Sequence, residues 1–337
     1  MKQLEEIQLS IIIAVYQRQD ELTDLLNSLV NQSDKDFEVL VIDDGSPEKL
    51  ESVVDGFKDQ SNIKYYYKDN SGPGLTRNYG MSKAEGNYFI FLDSDTIIPE
   101  HYIEEVKNEL TSDYVDFFGG SDNAHESFDT LQKAINFSMT SFLTTGGIRG
   151  GKKAVKNFQP RSFNMGISKK AYQATGGFSE MRVGEDPDLT MTLWEKGFKS
   201  RWFPNAYVYH KRRTSLKKFG RQVKSFGIAR PILNQRHPKY KSLSFWFPTI
   251  FILGFTLAII LSFFGIWQFL ALYGIYFALI FIVSSIQNKS LKVGLLSCIT
   301  TFIQFEMYGF GFLRSQIMIN LLGKNPKEAF PTHFYNQ

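Results

Sequence analysis

Between residues 242 and 288 this 337-residue chain has no Asp, Glu, Lys, Arg or His. So long a charge-free stretch has room for two helices of roughly 20 apolar residues, the length that crosses a bilayer core. A transmembrane hairpin over 242–288, turning near Gly265, is therefore expected. Cysteine is nearly absent: Cys298 stands alone in an apolar stretch. That excludes a disulfide framework and a thiolate metal site, and it agrees with a reducing compartment. The first residues lack the basic flank and apolar run of a secretory signal, carrying Glu5 and Glu6 instead. The first domain is expected to stay in the cytoplasm, where it is made. There is no internal repeat and no low-complexity tract.

What is present divides at residue 242, because the charges concentrate before it. Apolar residues make up 43% of the chain and charged ones 21%, and the net charge is +4, a balance that suits a globular core. Leu9–Val15 is a continuous apolar run, as in a strand covered on both faces. Residues 21–32 place Leu22, Leu25, Leu26, Leu29 and Val30 at helical spacing, with Asp20 as the expected N-cap. Residues 37–42 read as a second strand ending in Asp43-Asp44-Gly45-Ser46, and 63–67 as a third. Residues 74–84 read as a helix, and 88–92 as a fourth strand running into Asp93-Ser94-Asp95. This alternation predicts an α/β fold with a mostly parallel sheet and helices on both faces. In such sheets ligands bind beyond the carboxyl ends of the strands. Tyr16-Gln17, residues 43–46 and residues 93–95 all fall there. Farther along, 127–145 and 185–196 read as helices, the latter after a Gly176-Gly177-Phe178 turn, and 146–153 as a mobile glycine-rich loop.

Six short segments follow one another: SIIIAVYQR, VIDDGS, GPGLTRNYG, FLDSD, GGF and GEDPDL. In order and approximate spacing they resemble the family 2 glycosyltransferases with a GT-A fold, over about residues 9–215. Each motif alone is a weak signal; six in register are specific. The resemblance implies inverting transfer of a sugar from a nucleotide diphosphate, UDP foremost.

Asp93 and Asp95 flank Ser94 in a loop, and two carboxylates there suit a hard cation, Mg²⁺ or Mn²⁺, that joins protein oxygens to substrate phosphates and stabilises a leaving diphosphate. The resemblance gives Asp95 to the metal and Asp93 to metal or ribose, with Ser94 among the donor contacts; an ordinary acidic turn is the alternative. Asp44 follows an apolar strand, where its carboxylate can accept the imide N–H of uracil, although Asp-Gly-Ser also makes a good turn unaided. By resemblance Ala14, Val15 and Tyr16 contact the same base. Arg77 opens a helix beside Gly72 and Gly74, where a guanidinium and backbone amides can hold phosphate; a surface salt bridge is the plainer reading. Asp186, the second acid of Glu185-Asp186, takes the role of general base by resemblance, while Glu185, Asp186 and Asp188 also suit a helix N-terminus. His210, after Tyr207-Val208-Tyr209, is a candidate metal or phosphate ligand or a structural histidine. Residues 163–166 and the glycine-rich loop are expected to face the acceptor.

Residues 211–241 hold 11 Lys or Arg and no Asp or Glu. Leu216, Phe219, Val223 and Phe226 recur there at helical spacing among Lys217, Lys218, Arg221 and Lys224, the pattern of an amphipathic helix on an anionic membrane. A nucleic-acid patch would explain this segment but none of the acidic motifs, so no nucleic-acid partner is expected. The same charges, beside the hairpin, predict a multi-pass protein of the cytoplasmic membrane with its catalytic domain in the cytoplasm. A third apolar stretch, 293–322, contains Glu306 and Arg314, and membrane-embedded and interfacial placements both remain open for it. Processive synthases of the resembled family carry Gln-x-x-Arg-Trp after the base; here the comparable residues read Arg221-Gln222-Val223-Lys224. The expected organisation is thus a catalytic domain over 1–210, a basic interfacial segment over 211–241, the hairpin and the third helix. The expected activity is a single transfer to a lipid-linked or other glycan acceptor at the membrane, in polysaccharide or glycan synthesis. A polyprenyl-phosphate glycosyltransferase and an inactive nucleotide-binding scaffold are the alternatives.

Overall fold

The computed structural model describes residues 6–123, 128–146, 158–210 and 215–335. The elements follow in the order β1 (Leu9–Val15), α1 (Gln19–Val30), β2 (Phe37–Asp43), α2 (Glu51–Asp55), β3 (Ile63–Tyr67), α3 (Pro73–Lys83), β4 (Tyr88–Asp93), β5 (Thr96–Ile97), α4 (Tyr102–Ser112) and β6 (Phe117–Asn123). Next come α5 (Thr130–Thr140), α6 (Phe142–Thr145), β7 (Asn164–Ser168), α7 (Lys169–Thr175), α8 (Glu185–Glu195), β8 (Ser200–His210) and α9 (Leu216–Arg236). The chain closes with α10 (Phe247–Ser262), α11 (Gln268–Asn288), α12 (Leu291–Ser315) and α13 (Pro326–Ala329). It divides into two compact units, the first taking in the described residues of Met1–His125, Ala154–Lys211 and Phe334–Gln337, the second those of Glu126–Lys153 and Arg212–His333.

The first unit is built on one eight-stranded sheet, ordered β3-β2-β1-β4-β7-β6-β8-β5. Strands β1 to β4 pair in parallel, as the apolar runs predicted. Beyond β4 the sheet is mixed: β7 runs antiparallel to both neighbours, β8 is parallel to β6, and β5 is antiparallel to β8. Both faces are covered. Ile11, Ile13, Val39, Val41 and Ile90 pack with the apolar sides of α1 and α4; Ile12, Leu40, Phe89 and Phe91 pack with Met81 of α3 and Leu189 and Leu193 of α8. Burying strands on both sides is what makes them read as unbroken apolar runs. At Gly80 of α3 a Cβ would stand 2.5 Å from the Ile12 side chain, so glycine lets this helix lie close on the sheet.

Register brings the motif residues together. Val15 stands opposite Asp43 and Ala14 opposite Asp93, so β1, β2 and β4 end at one edge. Two local expectations are corrected. Arg18, not Asp20, is the N-cap of α1 and its side chain makes no capping bond; Asp20 lies in the first turn, where a negative charge suits the helix dipole. Of residues 163–166, expected to face an acceptor, only Phe163 keeps part of its surface exposed. Asn164 and Met165 are fully buried, and Asn164 accepts the Tyr102 hydroxyl at 2.6 Å and donates to the carbonyls of Ser121 and Ala206.

The second unit is helical. The helix expected over 127–145 breaks at Ser141, whose backbone is extended (ψ 142°) and whose hydroxyl caps α6. Among the described residues, three helices are long and apolar enough to cross a membrane: Leu243–Ser262, Gln268–Asn288 and Leu291–Leu321. The first two are joined by a turn at Gly265, with φ of +81°, and α12 widens at its end into a π-helical turn over Gln316–Leu321. The apolar face of α9 corrects another expectation. Phe219 and Val223 are buried with Ile135 and Met139 of α5, and Phe226, Ile303 and Met307 pack around them, so these positions face protein and not lipid. Gly227 and Gly311 let α9 and α12 meet closely, since a Cβ on either would stand within 2.4 Å of the other helix's backbone. Lys217, Lys218, Arg221 and Lys224 remain exposed.

Candidate active site

Of the expected site residues, those at the ends of β1 and β4 share one edge. Tyr16 is 44% exposed just past β1, and Gln17 turns the chain with φ of +54°, its N–H donating to Ser46 Oγ. The Val15 carbonyl accepts the Asp44 N–H at 2.8 Å. Ser94 is buried between Asp93 and Asp95. Each of these two carboxylates has an arginine partner: Asp93 meets Arg77 Nη2 at 2.6 Å and Asp95 meets Arg18 Nη1 at 2.5 Å. Arg18 belongs to the SIIIAVYQR segment, but its pairing partner lies 77 residues away, too far for a sequence pattern to show.

The neighbouring pair of acids is used differently. Asp43 is fully buried and accepts the N–H groups of Ser46 and Leu50 and the Tyr65 hydroxyl. Asp44, also buried, accepts from Ser71 N–H at 2.9 Å, Gly72 N–H at 2.7 Å, Thr76 Oγ1 at 2.6 Å and Lys68 Nζ at 2.9 Å. The Asp44 carboxylate therefore fixes the loop that delivers Gly72 and the start of α3. Gly72, with φ of +84°, precedes Pro73 at the first position of α3, a conformation only glycine adopts freely.

Arg77 links the two sides of the site. Its side chain is 3% exposed, with Nη1 3.7 Å from Glu185 Oε1. Burial disfavours its charge, but Asp93 and Glu185 outweigh that and hold its pKa up. The Arg77 Nε and Nη1 atoms are buried without a hydrogen-bond partner among the described residues. The cluster Glu185-Asp186-Asp188 opens α8 as expected, following Gly184 at φ of +87°, and its three acids differ. Asp188 is buried and accepts the Ser179 hydroxyl at 2.6 Å. Asp186 faces Arg161 at 3.5 Å, a partner that no sequence motif announced. Glu185 is pushed up to about 7, first by burial and then by the Asp186 charge, against the pull of Arg77. His210 pairs by its backbone with Thr96, one residue past Asp95; its side chain, and residues 147–153 of the glycine-rich loop, lie outside the described residues.

Among the described residues no group of three or more His, Cys, Asp or Glu is placed to hold a metal ion. Asp93 and Asp95 are two hard oxygen donors at the strand end, a set that fits Mg²⁺ or Mn²⁺ when substrate oxygens complete the shell.

The fold is GT-A-like. Mannosyltransferase PcManGT from Pyrobaculum calidifontis, solved with GDP-Man and Mn²⁺, superposes with a TM-score of 0.61 over 87% of this chain and 86% of that one at 14% identity. Staphylococcus aureus TarS 1–349 with UDP-GlcNAc gives 0.51 over 94% and 93% at 19% identity. Residues 10–175 match the family model of Glycosyl transferase family 2. The GalNAc(5)-diNAcBac-PP-undecaprenol beta-1,3-glucosyltransferase of Campylobacter jejuni is 28% identical over 197 residues, 56% of this chain. The match spans 61% of that protein, and 15% of an uncharacterized glycosyltransferase of Rickettsia bellii that is 38% identical over 101 residues, so the chain corresponds to part of these relatives.

Proposed function

We propose that this protein transfers a sugar, with inversion, from a nucleotide diphosphate sugar to a hydroxyl of a membrane-presented, lipid-linked acceptor. The observation that carries the reading is the chain of contacts Asp93–Arg77–Glu185, with Asp186 next in sequence. It joins the donor-side strand end to the acids at the start of α8. The base stacks at Tyr16 and is recognised beside Asp44, whose loop presents Gly72 and Arg77 to the diphosphate. Asp93 and Asp95 are the residues that would hold Mg²⁺ or Mn²⁺, with His210 a further candidate. The bound cation supplies positive charge to the leaving diphosphate. The acceptor oxygen attacks the anomeric carbon as the bond to the diphosphate breaks, and Asp186 takes the hydroxyl proton. A base so placed supplies about 10² to 10⁴ in rate. Arg77 offers Nε and Nη1, which make no hydrogen bond to the described residues, to the departing oxygens.

The Campylobacter relative's name specifies a lipid-linked acceptor, and this chain's three candidate spans suit one presented at a bilayer. Membrane anchoring through 242–288 and the third helix, with the basic residues of 211–241 on the cytoplasmic side, supports a reading in which the transfer takes place in the cytoplasm. The test is a thermal-shift panel of nucleotide sugars with and without Mn²⁺, since a ligand that binds the folded state raises its stability by mass action. A rise with UDP- or GDP-sugars that requires the cation is expected. No shift with any nucleotide sugar would remove the reading.

A further inference from the structure

Among the buried polar atoms of the first unit without hydrogen-bond partners among the described residues are Arg77 Nε, Arg77 Nη1 and the Tyr335 hydroxyl, the first two on α3 and the third against its N-cap, Gly72. Leaving such groups unmade costs about 1–3 kcal/mol each, so a native site that collects them is shaped for a ligand rich in acceptor oxygens. Tyr335 follows the third candidate span in sequence, yet it belongs with the sheet unit. Phe334 forms an antiparallel bridge with Met181, and the Tyr335 N–H donates to the Glu180 carbonyl at 2.9 Å. These bonds lay the phenol ring on Gly72: a Cβ there would stand 1.8 Å from Tyr335 Cε1. The hydroxyl itself would stand 2.6 Å from that Cβ, so it lies at the N-cap of the helix that carries Arg77. Gly72 is thus glycine for two reasons, its positive φ and the ring lying on it.

We infer that Tyr335 is a substrate-contacting residue, its hydroxyl donating, together with Arg77 Nε and Nη1, to the diphosphate oxygens of the donor at the N-terminus of α3. This rests on the proposal that a nucleotide diphosphate binds at this edge. The three donors share one acceptor, an anion with several oxygens, and the helix N-terminus adds its own attraction for negative charge. The segment that ends the membrane half of the sequence then supplies part of the donor site, which no motif of the first 215 residues contains.

The experiment compares the full-length wild type with Tyr335→Phe, which keeps the ring on Gly72 and deletes only the oxygen. Titrations use UDP and GDP with Mn²⁺, and the matching nucleoside, uridine or guanosine, which has no phosphate. Tyr335→Phe is expected to weaken the nucleoside diphosphate about tenfold, the loss of one hydrogen bond to a charged group, and to leave the nucleoside unchanged. Unchanged diphosphate affinity overturns the inference. An equal weakening of diphosphate and nucleoside also overturns it, because that marks a packing role. If the wild type binds neither diphosphate, it is the underlying donor-site reading that fails, a result separable from the other two.

Discussion

Asp43-Asp44 and Asp93-Ser94-Asp95 look alike in sequence: acids at the carboxyl ends of neighbouring parallel strands. The chain uses them in opposite ways. The first pair is buried and saturated with the chain's own donors, four of them on Asp44 alone. The second pair each holds an arginine, and Asp93 keeps a third of its side chain exposed. An acid whose lone pairs are filled builds the site; one that holds a cation at an open edge can exchange it for another. The same contrast recurs along α8, where Asp188 is tied to Ser179 while Asp186 faces Arg161.

The largest effect that tests this contrast is at Asp44. Asp44→Ala leaves Ser71 N–H, Gly72 N–H, Thr76 and Lys68 without their common acceptor, and should cost on the order of 3 kcal/mol or more. Chemical denaturation should show it, and Asp95→Ala in parallel, whose partner Arg18 reaches solvent, should move stability far less. Equal losses in the two variants would dissolve the distinction.

Next in size is Asp186→Asn, which keeps the shape and the first-turn position but cannot take a proton. Turnover should fall by about 10² or more while donor affinity stays near wild type. A turnover within a few-fold of wild type would make Asp186 a helix-end charge and turn attention to Glu185.

A smaller effect concerns Glu185, held near 7 against the 4.5 ordinary for glutamate. Raising the folded-state pKa means folding favours the protonated form. Its contribution is therefore full below about 4.5 and is lost as pH climbs through about 7. Glu185→Gln stays neutral, so melting curves taken from pH 4.5 to 8 should show the variant gaining on wild type as pH rises. Parallel curves would mean that Glu185 is not raised in the folded chain.

Much of this was legible in the sequence, and the reasons differ by element. Strands β1, β2 and β4, covered on both faces, announce themselves as apolar runs. Leu22, Leu25, Leu26 and Leu29 mark α1 by their spacing, and all four are buried. Strand β6 was not legible: Gly119 and Gly120 give no side-chain period, and its partners β7 and β8 come about 40 residues later or more. At 163–166 the buried polar residue Asn164 looks like a surface one until its partners Tyr102, Ser121 and Ala206 are known. The α9 stripe is legible as apolar, but its cover is not, because amphipathicity shows that a face is covered and not by what. Arg18, Arg161 and Tyr335 enter the site through pairings far apart in sequence, which no local motif encodes.

The most direct test of the account is the binding of UDP and GDP, each with and without Mn²⁺, to wild type and to Asp95→Ala by isothermal titration. The account predicts that wild type binds one of the two in a cation-dependent way. Asp95→Ala should keep its melting temperature near wild type and lose that dependence. Asp95→Ala binding as tightly as wild type, with the same response to Mn²⁺, would contradict it.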